Sequence, residues 1–386
     1  MKNFNFYNPT KVLFGKGEVE KVGKLVKEYG DTVLLVYGKS SIKKIGLYDK
    51  VVQLLEKEGI KIIDFGGIDP NPRIESIREG GDLCKKHKVD LVLAVGGGST
   101  IDASKGIASA AMYDGDPWDF YSYKVESTGA LPIATILTLA ATGSEMNAGS
   151  VVTNFKTKEK NGWGSPFTNP KFSILDPENT YTVSYHQTGC GIVDSLTHVY
   201  EFYFSNEKAY LNDRVCEGIM KTIIHYGPKA LENPLDYEAR SNLMFGSTLA
   251  LNGVSGFAKD FEGFNHTTEH VLSAFYDIAH ADGLAVLAPH WMEYILSEDT
   301  VDKFYEFAVN VWGVHPGDDK MDIAKKGIKK VFEYYKSLDM PLYLKDLNII
   351  DPPLDEIADK AVKNKTLGRY VPLTKDDVKN ILKKAL

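Results

Sequence analysis

The chain has 386 residues, of which 43% are hydrophobic and 25% are charged, an ordinary composition for a globular protein. Its net charge of −7 offers no basic surface for nucleic acid. No apolar run is long enough to span a membrane, and the N-terminus lacks the apolar core of a signal peptide. Three widely spaced cysteines argue against a disulfide framework. We therefore expect a cytoplasmic protein of two or three domains.

The first half of the chain alternates short apolar runs with amphipathic stretches. Four of these runs predict strands, at residues 32–37, 61–66, 90–95 and 131–138. Their apolar residues are nearly continuous, as expected where helices cover both faces of a parallel sheet. The pattern predicts a doubly wound, mostly parallel α/β domain, which we assign to residues 1–180.

The second half is predicted to be helical for long stretches. Helical patterns cover residues 192–204, 211–227, 237–253, 283–296, 301–313 and 325–338. The polar stretch DPENTYTVSY separates the two halves, so we assign residues 181–386 to an all-α domain. A last helix is predicted near the C-terminus, with Thr374 as its N-cap and Asp377 three residues later.

A glycine-rich turn follows the third predicted strand. Gly97, Gly98 and Ser99 lie between that strand and a helix, where free backbone N–H groups and the helix dipole attract an anion. Asp102 in the first turn either caps the helix or bonds a ligand. The run is not GxGxxG, so a flexible turn without a ligand remains an alternative.

Two further loops are candidates for coenzyme binding. The first strand ends at Gly38, where an acidic residue would bond a ribose 2′-OH and repel a 2′-phosphate. Here there is no acid and Lys39 follows, which leaves room for NADP(H). The run TLAATGSE, from Thr138 to Glu145, has small side chains that suit a closely bound ligand or tight helix packing equally well.

A carboxylate and three imidazoles form a candidate metal site. Asp194 and His198 are four residues apart on a helical pattern, so they share a face. His266 and His280 lie in NHTTEHVLSAFYDIAH. This ligand set suits a divalent first-row metal. Cys190 lies one turn before Asp194, but we expect it to be a small buried hydrophobe and not a fifth ligand.

The spacing of the histidines requires a break in the chain. In one straight helix, His266 and His280 would be about 21 Å apart and could not share an ion. The helix must therefore end between them, with Asp277 and Gly283 as breakers. We expect Asp282 to be the N-cap of the following helix and His280 to lie on a loop.

Taken together, these motifs resemble the iron-containing (group III) alcohol dehydrogenase family. The GGGS turn, TLAATGSE, Asp-x3-His and His-x3-His-x9-His carry the resemblance, which runs from FYNPTKVLFGKG to LGRYVPL. YGKSSIKKIGLYDKV and HVLSAFYDIAHADGLAVLAPHWM are most similar to its bacterial NAD(P)H-dependent butanol dehydrogenase and aldehyde reductase branch. The resemblance implies a dehydroquinate synthase-like architecture, a metal and a nicotinamide meeting in a cleft between the domains, and a homodimer.

The resemblance also implies roles for individual residues. The ligands of Fe2+ or Zn2+ fall on Asp194, His198, His266 and His280, and the extra histidine His270 is a proton relay. The coenzyme-binding positions fall on ten residues: Gly38, Ser40, Asn71, Gly97, Gly98, Ser99, Asp102, Thr138, Thr142 and Lys160.

We therefore expect a metal-dependent NAD(P)(H) oxidoreductase that interconverts primary alcohols, such as butanol, and aldehydes, with NADP(H) favoured over NAD(H). A polyol (glycerol-type) dehydrogenase or a dehydroquinate-synthase-like enzyme on the same fold is an alternative. A non-redox metal hydrolase or metal-binding scaffold would not bind nicotinamide. A structural dimerisation protein would leave the histidines unexplained.

Overall fold

The structure is a computed structural model that describes residues 1–386. The chain forms two compact units. The α/β unit comprises residues 7–183 and 232–252, and the helical unit comprises residues 1–6, 184–231 and 253–386. The sequence assignment at 180/181 lies close to the change at 183/184 but does not anticipate that segment 232–252 belongs with the α/β unit.

The α/β unit contains all eight strands. They are β1 (Lys11–Phe14), β2 (Thr32–Tyr37), β3 (Lys61–Phe65), β4 (Leu91–Gly96), β5 (Ile133–Leu137), β6 (Gly149–Asn154), β7 (Glu159–Gly164) and β8 (Phe172–Leu175). Six of them form a sheet of order β1-β8-β5-β4-β2-β3, in which every pair is parallel. The other two, β6 and β7, form an antiparallel hairpin.

Fifteen helices accompany the strands. They are α1 (Val22–Lys27), α2 (Ser41–Lys44), α3 (Leu47–Lys57), α4 (Ile74–His87), α5 (Gly98–Ala110), α6 (Trp118–Tyr121), α7 (Tyr185–Tyr203), α8 (Tyr210–Glu232), α9 (Tyr237–Ala250), α10 (Phe264–Tyr276), α11 (His280–Ile295), α12 (Val301–Asn310), α13 (Lys320–Ser337), α14 (Leu354–Val362) and α15 (Lys375–Lys384). None of them combines the length and the apolar character needed to cross a bilayer.

The sheet is buried on both faces, as the continuous apolar runs predict. Val33 and Leu35 of β2 point into one core, whereas Leu34 and Val36 point into the core on the opposite face. The doubly wound α/β class is therefore confirmed. The β6–β7 hairpin was not predicted, because GSVVTN and EKNGWG lack an apolar run.

The parallel register brings three loops to one edge of the sheet. Tyr37 at the end of β2 pairs with Val95 of β4, and Gly96 of β4 pairs with Leu137 of β5. The loops that follow these strands therefore emerge side by side at the carboxyl edge. In parallel α/β sheets this edge is where ligands bind.

Candidate metal centre and coenzyme-binding loops

Helix α7 carries two of the candidate metal ligands. Ser184 caps its N-terminus by accepting a hydrogen bond from the N–H of Gln187 at 3.2 Å. Asp194 and His198 follow on one buried face, with only 3% and 5% of their surfaces exposed. Helices α10 and α11 pack against α7 and bring the other two ligands.

The predicted break between His266 and His280 is confirmed. Helix α10 ends at Tyr276, and Asp277 follows in the left-handed conformation with φ 50°. The chain turns there, and α11 starts at His280, so the prediction that His280 lies on a loop is wrong. The prediction that Asp282 caps the following helix is wrong, because Asp282 lies in the first turn of α11 and Ala279 is its N-cap.

The four candidate ligands converge on one carboxylate oxygen. Oδ1 of Asp194 lies 3.5 Å from Nδ1 of His198 and 3.6 Å from Nε2 of His266. The same oxygen lies 3.7 Å from Nε2 of His280. The rings of His198 and His266 stack with their centroids 4.3 Å apart. Two helices and the start of a third therefore direct one oxygen and three nitrogens to a common point.

The donor set fits a divalent metal ion. Oδ1 of Asp194, Nδ1 of His198 and Nε2 of His266 are buried and have no hydrogen-bond partner. Each such atom costs about 1–3 kcal/mol when left unsatisfied. Metal–ligand bonds of about 2.1 Å at tetrahedral angles would separate neighbouring ligand atoms by about 3.4 Å, close to the three distances above. A single cation would therefore satisfy all three atoms.

The electrostatics of the cluster also favour a cation. Burial opposes the charge on Asp194, but the imidazoles of His198, His266 and His280 outweigh burial and hold the pKa of Asp194 well below its usual range. Burial lowers the pKa of His198 to about 3. Burial has the same effect on His266, yet Glu201 and Asp194 overcome it and raise the pKa of His266 to about 10. The carboxylates of Glu201 and Asp194 thus stabilise a positive charge at His266, whereas burial keeps His198 neutral.

In the α/β unit, the glycine turn and the TLAATGSE run meet. Gly97 is the N-cap of α5 and Gly98 is its first residue. A Cβ added to Gly98 would lie 2.5 Å from the side chain of Thr142, so only glycine fits there. The N–H of Thr138 donates to the carbonyl of Gly96 at 3.0 Å. These contacts place the free N–H groups of α5 beside the small residues of the run.

The carboxylate of Asp102 accepts hydrogen bonds from neighbouring segments and not from the N-terminus of its own helix. Its carboxylate accepts hydrogen bonds from Oγ of Ser144 at 2.5 Å and from the N–H of Val151 at 2.9 Å. The N-cap of α5 makes no side-chain hydrogen bond. Of the two roles that the sequence left open, capping is therefore wrong, and the observed carboxylate contacts join α5 to β6 and to the TLAATGSE run.

Lys105 lies three residues after Asp102 and is completely buried. Its ammonium donates to Oγ of Ser144 at 2.7 Å, to Oδ1 of Asn147 at 3.1 Å and to the carbonyl of Gly149 at 2.7 Å. Burial lowers the pKa of Lys105 to about 8, against the opposing effect of Asp102 and Glu145. This lysine was not predicted from the sequence, although its i, i+3 spacing from Asp102 places both residues on one face of α5.

The remaining candidate positions also lie in the α/β unit. Gly38 follows β2, and Ser40 is the N-cap of the four-residue helix α2. Asn71 and Lys160 are both buried. The hydroxyl of Ser99 donates to the carbonyl of Pro70, the neighbour of Asn71.

Comparison with known proteins covers nearly the whole chain. A model of the iron-containing alcohol dehydrogenases matches residues 9–177, and one of the C-terminal part of the Fe-containing alcohol dehydrogenase family matches residues 188–386. A probable NADH-dependent butanol dehydrogenase 1 of Bacillus subtilis is 47% identical, with 100% of both chains covered. The NADPH-dependent aldehyde reductase of Escherichia coli is 38% identical over 90% of each chain.

A solved structure shows the same fold. The NADH-dependent butanol dehydrogenase A of Thermotoga maritima is 40% identical and superposes with a TM-score of 0.96, covering 100% of this chain and 99% of that one. The chain belongs to the iron-containing alcohol dehydrogenase family. Like its relatives, this member of the family is an NAD(P)(H)-dependent oxidoreductase that converts alcohols and aldehydes.

Two carboxylates that the sequence analysis missed support the histidines of this alcohol dehydrogenase. Glu201 accepts a hydrogen bond from Nδ1 of His266 at 2.5 Å and another from the N–H of Asn265 at 2.7 Å. Glu269 bonds Nδ1 of His280 in the same way. Both carboxylates are completely buried. Such partners fix the tautomer of an imidazole and turn its other nitrogen toward a metal.

The spacing of these two carboxylates from the candidate ligands could have predicted their position beside the histidines. Glu201 is seven residues after Asp194 and three after His198, so it lies on the same face of α7. Glu269 is three residues after His266 on α10. His270 follows, and its ring centroid lies 5.5 Å from that of His280. His270 therefore lies beside the convergent cluster.

Proposed function

We propose that this family member transfers hydride between a nicotinamide coenzyme and short primary alcohols or aldehydes, with Asp194, His198, His266 and His280 as its metal ligands. The observation that carries this proposal is the set of three buried, unpartnered ligand atoms around Asp194. A bound divalent metal supplies Lewis acidity toward the substrate oxygen, and the nicotinamide carries the hydride.

The chain's own residues orient the site and move the proton. Glu201 and Glu269 hold Nδ1–H of His266 and His280, which leaves Nε2 of each ring directed at Asp194. His270 follows Glu269 directly along α10 and is only half-buried. We assign His270 the transfer of the hydroxyl proton between substrate and solvent.

Ten positions of the α/β unit are proposed to bind the coenzyme: Gly38, Ser40, Asn71, Gly97, Gly98, Ser99, Asp102, Thr138, Thr142 and Lys160. Three lines of support are the side-by-side emergence of the loops after β2, β4 and β5, the N-terminus of α5 and the glycine-dependent contact at Thr142. Together they form a surface suited to a pyrophosphate.

The protein is proposed to accept both coenzymes and to prefer NADP(H). Position 38 is glycine, so no carboxylate at that position repels a 2′-phosphate. Lys39 lies beside it, although its ammonium pairs with Asp69 at 3.1 Å and is partly neutralised. Gly38→Asp is expected to raise the ratio of kcat/KM for NADH over NADPH by at least about tenfold, and an unchanged ratio would contradict the preference.

For the metal, we propose divalent iron or zinc, since a carboxylate with three imidazoles suits both. The decisive experiment is a kinetic panel with chelator-treated protein reconstituted with either metal. NADH and NADPH are each offered with butanal, shorter aldehydes and glycerol-type substrates. Turnover of butanal only after reconstitution is the expected result. Faster turnover of a diol would favour the polyol alternative, since a 1,3-propanediol dehydrogenase of Citrobacter freundii is 29% identical.

Two properties outside the site complete the proposal. A homodimer is supported by exposed aromatic side chains near the N-terminus, where Phe4, Phe6 and Tyr7 are 45%, 53% and 84% exposed. A cytoplasmic location is supported by the cysteines, which are all free and buried. Sedimentation of the purified protein tests the homodimer. Fractionation of cells of the source organism tests the cytoplasmic location.

A further inference from the structure

A second group of metal-binding side chains lies in the helical unit, outside the cluster around Asp194. It consists of His186 and Cys190 on α7 and Asp282 on α11. Nε2 of His186 lies 2.9 Å from Oδ1 of Asp282. Sγ of Cys190 lies 3.8 Å from Nε2 of His186 and 3.9 Å from Oδ1 of Asp282. We propose that these three side chains bind a zinc ion as an auxiliary, thiolate-containing site.

The distances suit one tetrahedral ion. Bonds of about 2.3 Å to sulfur and about 2.0–2.1 Å to nitrogen or oxygen separate sulfur from either light atom by about 3.6 Å and the light atoms from each other by about 3.4 Å. The two sulfur separations already approximate this triangle. The separation between His186 and Asp282 must open by about half an ångström, which side-chain rotation allows because half of the His186 side chain is exposed.

The ligand types and their burial select the metal. A thiolate, an imidazole and a carboxylate form a set that binds zinc in proteins, whereas calcium and magnesium require oxygen ligands. Cys190 and Asp282 are each only 8% exposed, so both are held in place by packing. His186 is exposed and gives the ion access from solvent. On binding, zinc displaces the thiol proton of Cys190 to solvent.

The surroundings leave the fourth coordination position open. His186 and Asp282 line a cavity of about 490 Å³, large enough for water or a small anion as the remaining ligand. Asp339, Asp346 and Lys336 also line this cavity. The N-termini of α7 and α11 each contribute a partial positive charge of about half a unit, but the thiolate and the carboxylates more than offset it.

An ion at this place would join two helices that carry the candidate catalytic ligands. Cys190 is one turn before Asp194 on α7, and Asp282 is two residues after His280 on α11. Zinc would therefore link the first turns of both helices. We assign the auxiliary site a structural role, in which the ion stabilises the packing of α7 against α11.

Cobalt spectroscopy tests the site, because only this site contains sulfur. Full-length, chelator-treated protein is titrated with Co2+, and the near-ultraviolet band of thiolate-to-cobalt charge transfer is recorded. Because the cluster around Asp194 competes for the first equivalent, the band is expected by two equivalents of Co2+ per chain, and it should be lost when Zn2+ is added. Both Cys190→Ser and the exposed substitution His186→Ala should abolish it. Cys84→Ser and Cys216→Ser are matched controls with other buried cysteines, and both should retain it.

The same measurement in His266→Ala separates this inference from the proposed function. That variant disrupts the cluster around Asp194, so a band that persists there belongs to the auxiliary site whatever the first cluster binds. Zinc should also raise the Tm of His266→Ala but not that of His266→Ala/His186→Ala. No band at two equivalents of Co2+ per chain, a band that survives Cys190→Ser, or one that needs a large excess of cobalt would each overturn the proposal.

Discussion

Both units of the molecule bury charge, but they do so in opposite ways. In the α/β unit, the ammonium of Lys105 reaches three hydrogen-bond acceptors, and Asp102 accepts from a hydroxyl and a backbone N–H. In the helical unit, Asp194, His198 and His266 each keep a buried atom without a partner. These three atoms face one another.

This difference separates a structural network from a binding site. A buried polar group is stable when its hydrogen bonds are made, and a satisfied network stiffens the fold. Unsatisfied atoms are costly unless a ligand completes them. Lys105 is thus expected to act on stability, whereas the cluster around Asp194 is expected to act on metal binding and catalysis.

The largest effect is expected from removing a candidate metal ligand. His266→Ala should abolish stoichiometric metal and lower kcat/KM about a thousandfold or more, since a metal supplies several kcal/mol of transition-state stabilisation. Metal analysis and steady-state kinetics measure the two effects. His290→Ala is the matched control, because His290 is also buried in the helical unit but bonds the carbonyl of Leu342. If His266→Ala contained no metal and still turned over normally, the proposed catalytic role of this metal site would be wrong.

Substitution of the buried lysine should show the opposite pattern. Lys105→Met leaves the acceptors on Ser144, Asn147 and Gly149 without their donor, so the free energy of unfolding should fall by about 3–5 kcal/mol. Lys86→Met, at an exposed position of α4, should change it by less than about half a kcal/mol. Denaturant unfolding measures both. Loss of metal from folded Lys105→Met would contradict the assignment of Lys105 to a structural network that is separate from the metal site.

Features that depend on local sequence could be predicted, in contrast to those that depend on tertiary contacts. Strand β2 has the predicted ends, because its continuous apolar run matches a strand that is buried on both faces. The break at Asp277 was also predictable, since two ligands fourteen residues apart cannot share an ion along one helix.

Features that depend on tertiary partners were not predictable. Glu201 and Glu269 are ordinary helical residues until α7 and α10 bring them to imidazole nitrogens. The helical pattern of α9 does not reveal which unit the helix packs with. Asp282 has the local signature of an N-cap, but α11 begins two residues earlier, at His280, and the Asp282 carboxylate instead meets His186.

The pH dependence of stability tests a third buried charge, Glu262. Burial raises its pKa to about 7, against hydrogen bonds from the N–H groups of Tyr370 and Arg369 and with some help from Glu201. Because the folded pKa exceeds the unfolded value, this contribution is fully present below the unfolded pKa of 4.5 and is lost as pH rises through about 7.

Glu262→Gln removes the titration but keeps an oxygen for the two N–H groups. Between about pH 5 and about pH 9, the stability of the unmodified protein relative to Glu262→Gln should therefore fall by about 2–3 kcal/mol. Urea unfolding at several pH values measures the difference. A constant difference across this range would show that Glu262 does not retain its proton in the folded protein.

The smallest effect should come from the carboxylates behind the histidines. Glu201→Gln still accepts a hydrogen bond from Nδ1 of His266, but a neutral amide polarises the imidazole less than a carboxylate does. The affinity for metal should fall about 10–100-fold, with the fold retained. Competition with a chelator measures it. Glu217→Gln is the control, because Glu217 is also buried in the helical unit but bonds Tyr203 and Arg214. If both variants lose affinity equally, the effect reflects general loosening of the helices, and Glu201 has no specific part in holding His266 toward the metal.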